Sequence, residues 1–205
     1  YYILRDATTD SRMIIDCGVL GPRHNPGHAH CDALSYELAV HDNRLIVDSG
    51  TYLYQAGEWR DYFRSTRAHN TIAVDGKDQA ELWASFRAAS RFQTHCIAFD
   101  DSRFEGTHDG YRRLSGGALS HRRRIERISG GWKIQDTLEG QGAHSIESFI
   151  HLHPEVAVER TQNGFRVKLD DFRLTLVVPD GIPAALVKGN EAPIQGWYSP
   201  QFGVK

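Results

Sequence analysis

The chain has 205 residues, 40% hydrophobic and 24% charged, with a formal net charge of -2, enough for one sizeable core in a globular protein and too balanced to steer it to nucleic acid or an anionic membrane. No apolar run is long enough to cross a bilayer. The three cysteines form no CxxC pair, which excludes a disulfide framework and a cysteine zinc site, and eleven histidines against one methionine direct attention to metal or acid–base chemistry.

Short apolar or alternating runs predict strands at residues 1–5, 13–17, 34–40, 45–48, 71–74, 92–99, 119–128, 132–138, 145–152, 156–159, 164–169, 172–178 and 185–187. The run 172–178 reads as buried on both faces. Turns are expected at Asp42-Asn43, Asp75-Gly76, Gly130-Gly131, Asn163-Gly164, Asp170-Asp171 and Asp180-Gly181. Residues 55–65 and 79–90 read as irregular or briefly helical. Many short strands at close spacing predict an all-β fold, a multi-stranded antiparallel β-sandwich, in one domain over 1–205. The chain opens on a strand rather than on methionine or a signal peptide, so a piece of a longer protein is expected.

The stretch Gly27-His28-Ala29-His30-Cys31-Asp32 carries the chemistry. In an extended strand His28, His30 and Asp32 share a face. Two imidazoles and a carboxylate there suit a metal site, an acid–base site, or a polar rim whose histidines bond to neighbours. Asp48 closes the next apolar strand, and His69 opens the one after. Both can converge with His30 on one ion, zinc or another borderline divalent metal. Arg60, Arg64 and Arg67 lie nearby and suit carboxylate or sulfate groups, or pair with Glu58, Asp61 or Glu81. The basic run Arg122 to Arg124 reads as a solvated, salt-bridged face. Trp59, Trp83, Trp132 and Trp197 suit sugar stacking or the core.

Three blocks, GHAHCDALSYEL (27–38), LIVDSGTYLY (45–54) and YFRSTRAHNTIAVDG (62–76), in order and near-matching spacing, resemble the C-terminal domain of heparinase II/III-like polysaccharide lyases. The later HRRRIERI and WKIQDTL strands extend the likeness. The resemblance implies a two-layer, jelly-roll-like sandwich, completed by a helical (α/α) toroid preceding residue 1. It implies β-elimination on an acidic, uronate-containing polysaccharide, in a periplasmic or secreted bacterial protein. It places His28 in the active site and makes His30, Asp48 and His69 ligands of a structural divalent metal, zinc first. Tyr62 is the tyrosine it suggests for catalysis, ahead of Tyr52 and Tyr54. Arg64 and Arg67 are the substrate-binding candidates. The expected partners are the polysaccharide and the toroid, with no nucleic acid and no membrane, and a homodimer left open. A cupin-like metal enzyme fits less well, because the acidic ligand expected after three or four intervening residues beyond HxH falls on Leu34 and Ser35. A non-catalytic carbohydrate-binding module is the remaining alternative.

Overall fold

The computed structural model describes residues 1–22, 24–114, 118–169 and 172–205. Two-residue alternation builds the first sheet. β1 (Tyr2–Asp6) and β2 (Ser11–Ile15) turn Leu4, Met13 and Ile15 inward and leave Ile3 and Ile14 outside. β3 (Tyr36–Val40) and β4 (Asn43–Ile46) complete an antiparallel sheet in the order β1-β2-β3-β4. A connecting region follows: α1 (Glu58–Arg64), a 3-10 turn (Thr66–Ala68), β5 (Ile72–Val74) and the hairpin of β6 (Glu81–Trp83) and β7 (Arg87–Ala89).

A second antiparallel sheet, ordered β11-β10-β9-β8, comprises β8 (Thr94–Phe99), β9 (Arg103–His108), β10 (Ser120–Ile128) and β11 (Gly131–Glu139). β12 (Ile146–Ser148) pairs with β5, and the chain continues beside β4 through an Ile46–Leu152 bridge. A third sheet holds β13 (Ala157–Thr161), β14 (Gly164–Leu169) and β15 (Phe172–Val177). The sheets share one apolar core. Leu4, Met13, Ile15, Leu38, Val40 and Leu45 of the first sheet meet Phe104 and Ile125 of the second, and Leu174 and Leu176 pack in from the third. The chain is thus all-β and antiparallel, as the sequence implied.

Four local expectations change. β9 escaped notice because its run RFEGTH places Glu105 and Gly106 where apolar residues are expected; Glu105 is buried and ion-paired with Arg122. β15 is not buried on both faces: Leu174 and Leu176 turn inward while Val177 is 74% exposed. Residues 185–187 form no strand, and residues 79–90 hold the β6–β7 hairpin. The Asp170-Asp171 turn lies outside the described residues.

The same alternation sorts the basic run on β10. Arg122 and Arg124 face outward and pair with Glu105, Glu139 and Glu126. His121 and Arg123 face inward and are buried. His108 and His121 share a hydrogen bond of 3.0 Å, His121 Nε2 meets Asp136 Oδ1 at 2.7 Å, and Arg123 donates to both Asp136 oxygens. Burial holds His108 and His121 below the usual imidazole range. Burial, then the charge of His69, holds His151 down at about 4.

These imidazoles stay neutral in the fold at a pH where the unfolded chain takes up protons, so stability declines as pH falls below about 6.5. The thermal midpoint is expected to drop between pH 7 and pH 5 by roughly 4 °C or more, at about 2–4 °C per kcal/mol for a domain of this size. A midpoint that holds or rises on acidification, followed by calorimetry, contradicts this account.

Candidate functional site

Three irregular segments meet at one end of the first sheet. The segment 27–35 is not the extended strand expected from sequence, because its peptide groups bond outside any ladder. Cys31 N–H donates to Arg64 O at 2.9 Å, Ala33 N–H to Gln79 Oε1 at 2.8 Å, and Leu34 N–H to Asp16 O at 2.8 Å. Leu34 accordingly sits at φ 60. His28 and His30 nevertheless both line one open cleft of about 260 Å³, with Tyr1, Asp16, Asp32 and Thr51.

The second segment follows β4. Val47 N–H donates to His151 O at 2.9 Å, and Asp48 Oδ1 accepts from Gly50 N–H at 2.9 Å. Gly50 has φ 89, and a Cβ there would lie 2.3 Å from Ser199 O, so only glycine makes this turn. The third segment delivers His69 from the 3-10 turn. Asp78 Oδ1 accepts from Thr66 N–H at 2.7 Å, and His69 N–H donates to Thr66 O at 3.1 Å.

Asn70 ties the three together. It is 1% exposed; its Nδ2 donates to Tyr36 O at 2.8 Å and Val47 O at 2.9 Å, and its Oδ1 accepts from His151 N–H at 2.6 Å. Arg123 Nη1 reaches across from the second sheet to Leu34 O at 2.7 Å and Asn70 O at 2.5 Å.

One donor atom each from His30, Asp32 and His69 lies within 4.8 Å of the other two. The His30 and His69 rings are 5.2 Å apart, and Asp48 Oδ2 lies 2.6 Å from His69 Nδ1. His69 is fully buried, and its Nε2 has no hydrogen-bond partner. A buried ring nitrogen without a partner needs an explanation, and a cation beside it is one. Without an ion, burial and the charge of His69 hold His30 down at about 3. Burial opposes charging His69, but Asp48 outweighs it by charge and hydrogen bond, and the imidazole rises to about 9. Burial lifts Asp32 to about 7. Asp48 is lowered to about 2: burial is opposed by His69 and by the Gly50 N–H.

The sequence candidates thus divide. His30 and His69 come together with Asp32, whose place two residues after His30 was the available signal, while Asp48 is not in that group and meets the His69 ring at Nδ1. His28 stands exposed at the rim of the cleft. Tyr62 does not join it. It is 5% exposed, packed in a cluster with Phe63 and Ala68, with its hydroxyl buried beside the backbone of Gly196 and Trp197 and its pKa raised by that burial. Arg64 is also not placed to hold a substrate. It is 1% exposed and donates to the carbonyls of Ala29, Ala84 and Arg87. Arg67 donates to Gln195 Oε1 and borders a separate pocket with Lys77, Asp78 and Glu147. Sequence reasoning missed Asn70, Gln79 and His151, which no spacing marks.

Fold and site define an antiparallel β-sandwich domain carrying a half-buried histidine–carboxylate cluster beside an open cleft. A family model described as Heparinase II/III-like, C-terminal matches residues 1–205, and the chain belongs to that family. Among solved structures it is similar to a heparinase III gene product (19% identity, TM-score 0.66, covering 87% of this chain and 27% of that one). It is also similar to a structure of heparinase III (21% identity, TM-score 0.59, covering 83% and 26%). A mutant of heparan sulfate lyase HepC from Pedobacter heparinus aligns at 17% identity and TM-score 0.58, covering 78% and 24%. At these identities the likeness establishes the fold. The chain spans about a quarter of the length of these proteins. No match is found among curated proteins. Among the described residues no helix is long and apolar enough to cross a membrane.

Replacing Asn70 by Ala leaves two carbonyls and one N–H buried without partners, at about 1–3 kcal/mol for each group. The Asn70→Ala protein is expected to lose about 3 kcal/mol or more and to expose residues 27–35 to amide exchange. Denaturant unfolding within about 0.5 kcal/mol of wild type would rule out its role as the tie.

Proposed function

We propose that this chain is the β-sandwich part of a lyase that cleaves a uronate-containing polysaccharide by β-elimination. His28 works at the reacting centre. A divalent cation, zinc first, is held behind it by His30, Asp48 and His69, with Asp32 as an adjoining fourth donor. The observation that carries this reading is the meeting of His30, Asp32 and a buried His69 whose Nε2 has no partner, with Asp48 on the other nitrogen of the same ring; His30 and Asp32 line the cleft that His28 borders. The all-nitrogen-and-oxygen donor set fits zinc, and four protein donors suit a structural site rather than an open catalytic one. When bound, the cation supplies a fixed positive centre joining segment 27–35 to His69.

β-Elimination must take the proton from C5 of the uronate, stabilise the enolate that forms, and protonate the departing glycosidic oxygen. His28, exposed at the rim, is placed to take the proton or to hydrogen-bond the uronate carboxylate. His30, two residues on, is half-buried; a cation held there would restrain where the backbone can present His28. The remaining acid–base groups are assigned to the helical domain that family resemblance places before residue 1. The solved relatives named for heparinase and heparan sulfate lyase activity favour a sulfated glycosaminoglycan, with alginate and bacterial exopolysaccharide as other uronate polymers of the same chemistry. A secreted or periplasmic location follows from such a substrate.

Three measurements on the full-length protein test this. Metal content is expected to fall about tenfold or more in His30→Ala and His69→Ala; undiminished metal disposes of the ligand set. His28→Ala is expected to keep its metal and lose about 100-fold or more in kcat, read as the ultraviolet absorbance of the unsaturated product. Wild-type protein that forms no such product from any uronate polymer points instead to a binding module. Stripping the metal is expected to raise hydrogen exchange in residues 24–35 and 50–70 before the sandwich unfolds; equal protection in both forms removes the structural role.

A further inference from the structure

Away from the cleft, His108 and His121 form a buried pair that neither the cation cluster nor the elimination scheme uses. They are 1% and 0% exposed and lie where β9 ends and β10 begins. The hydrogen bonds fix both tautomers. Gly110 N–H donates to His108 Nδ1 at 3.1 Å, so His108 carries its proton on Nε2 and donates it to His121 Nδ1 at 3.0 Å. His121 Nε2–H in turn donates to Asp136 Oδ1 at 2.7 Å. All four ring nitrogens are in use, and neither ring takes a second proton without setting a donor against a donor.

Two clamps run from this pair to adjacent residues of the cleft segment. His121 shares Asp136 with Arg123, which donates to Leu34 O at 2.7 Å. His108 holds Gly110, whose carbonyl accepts from Arg113. Arg113 also donates to Gln79 O, and the Gln79 side chain takes the N–H of Ala33 at 2.8 Å and its carbonyl at 3.1 Å. A Cβ on Gly110 would lie 2.4 Å from Gln79 O, so this loop is seated directly on Gln79. Asp32, which lines the cleft, immediately precedes the clamped residues.

Of the groups around the pair, the histidines alone change charge in mildly acidic solution. Arg123 keeps its charge against burial through Asp136. Asp136 stays ionised because Arg123 and His121 outweigh its burial. Tyr111, against His108, and Tyr36, against Arg123, are held neutral by burial. Phe92 covers His108 from a further side.

We propose that the His108–His121 pair is an acid-sensitive catch on the cleft: proton uptake by either ring breaks the hydrogen-bond chain, releases the clamps on Ala33 and Leu34, and frees residues 31–35 while the sandwich stays folded. The catch regulates the site described above and rests on the functional reading of that site for its purpose. A proton on His108 Nδ1 faces the Gly110 N–H. One on His121 Nδ1 faces the His108 Nε2–H and adds a positive charge beside Arg123 at their shared carboxylate. The pair sits at strand ends, where local opening costs least. In the opened state the rings regain an ordinary imidazole pKa of about 6.5. Opening is therefore suppressed above that pH and grows below it, by roughly 25-fold between pH 7 and pH 5 for each ring that becomes free to charge.

The test is amide hydrogen exchange of the full-length protein in zinc-containing buffer at pH 7 and pH 5, each rate divided by its intrinsic value. The opening constant of residues 31–35 is expected to rise about 25-fold or more, while amides of β2 and β3 stay protected. His108→Asn/His121→Gln keeps an acceptor for Gly110 and a donor for Asp136 but takes up no proton, and is expected to lose most of that rise. The same rise in the double variant traces the effect to the cation ligands or His151 and overturns the catch. So does equal protection of residues 31–35 at both pH values in wild type, or loss of protection throughout β2 and β3 at the same pH. Exchange at the histidine rings of wild type needs no variant: rings that stay neutral at pH 5 while residues 31–35 open overturn it as well. Failure of the lyase reading is separate: no unsaturated product forms from any uronate polymer while the exchange pattern persists.

Discussion

Buried peptide groups outside a regular ladder must find partners or cost the fold several kcal/mol. The segments bearing His30, Asp48 and His69 are irregular and largely buried, so this constraint governs the whole end of the sandwich. A few side chains meet it. Asn70 serves Tyr36, Val47 and His151 at once, and Gln79 takes both the N–H and the carbonyl of Ala33. Arg64 binds Ala29 O, and Arg123 binds Leu34 O and Asn70 O. Each of these bonds spans 23 or more positions in sequence. The site is therefore held by long-range polar contacts, while the sheets supply the platform from which those contacts reach.

The second sheet takes part through Arg123. Inward on β10, it is fully enclosed, and Asp136 supplies the counter-charge through two hydrogen bonds. His121 and His108 extend the same buried network. A charge buried and satisfied in this way is specific more than stabilising. It holds the carbonyl of Leu34, a residue at positive φ two positions after Asp32, which faces His30 and His69. The apolar core and the polar site are thus coupled through one side chain.

The architecture was legible in the sequence where alternation ran uninterrupted, as in β2, β10 and β11. It failed on β9, where Glu105 is buried on the outer face by its ion pair with Arg122 and the inward Gly106 cannot carry a side chain without striking Phe104 and Leu34. The cluster itself was legible as residue types in order, since His30, Asp48 and His69 end or begin segments that the sheet brings together. Its geometry was not. The extended strand drawn for residues 27–35 ignored that Cys31, Ala33 and Leu34 bond to partners far away in sequence. Tyr62 and Arg64 looked functional because they flank the site in sequence, yet α1 turns both inward. Two positions apart, they lie on different sides of the helix, so α1 is enclosed on more than one side, which no amphipathic stripe in seven residues announces.

Arg123 and the Arg60–Arg64 pair meet the demand for backbone donors in two different ways. All three are buried and all three grip backbone carbonyls. Arg123 has its carboxylate, so its charge is closed off inside the protein. Among the described residues, Arg60 and Arg64 form no such ion pair; Arg60 lies against the rings of Tyr54 and Phe86, and the charge of Asp61 acts on both. Both uses of a buried arginine rest on the same property, a rigid fork of donors that can serve several carbonyls at once, with the counter-charge supplied inside the network in one case and by a neighbour on the same helix in the other.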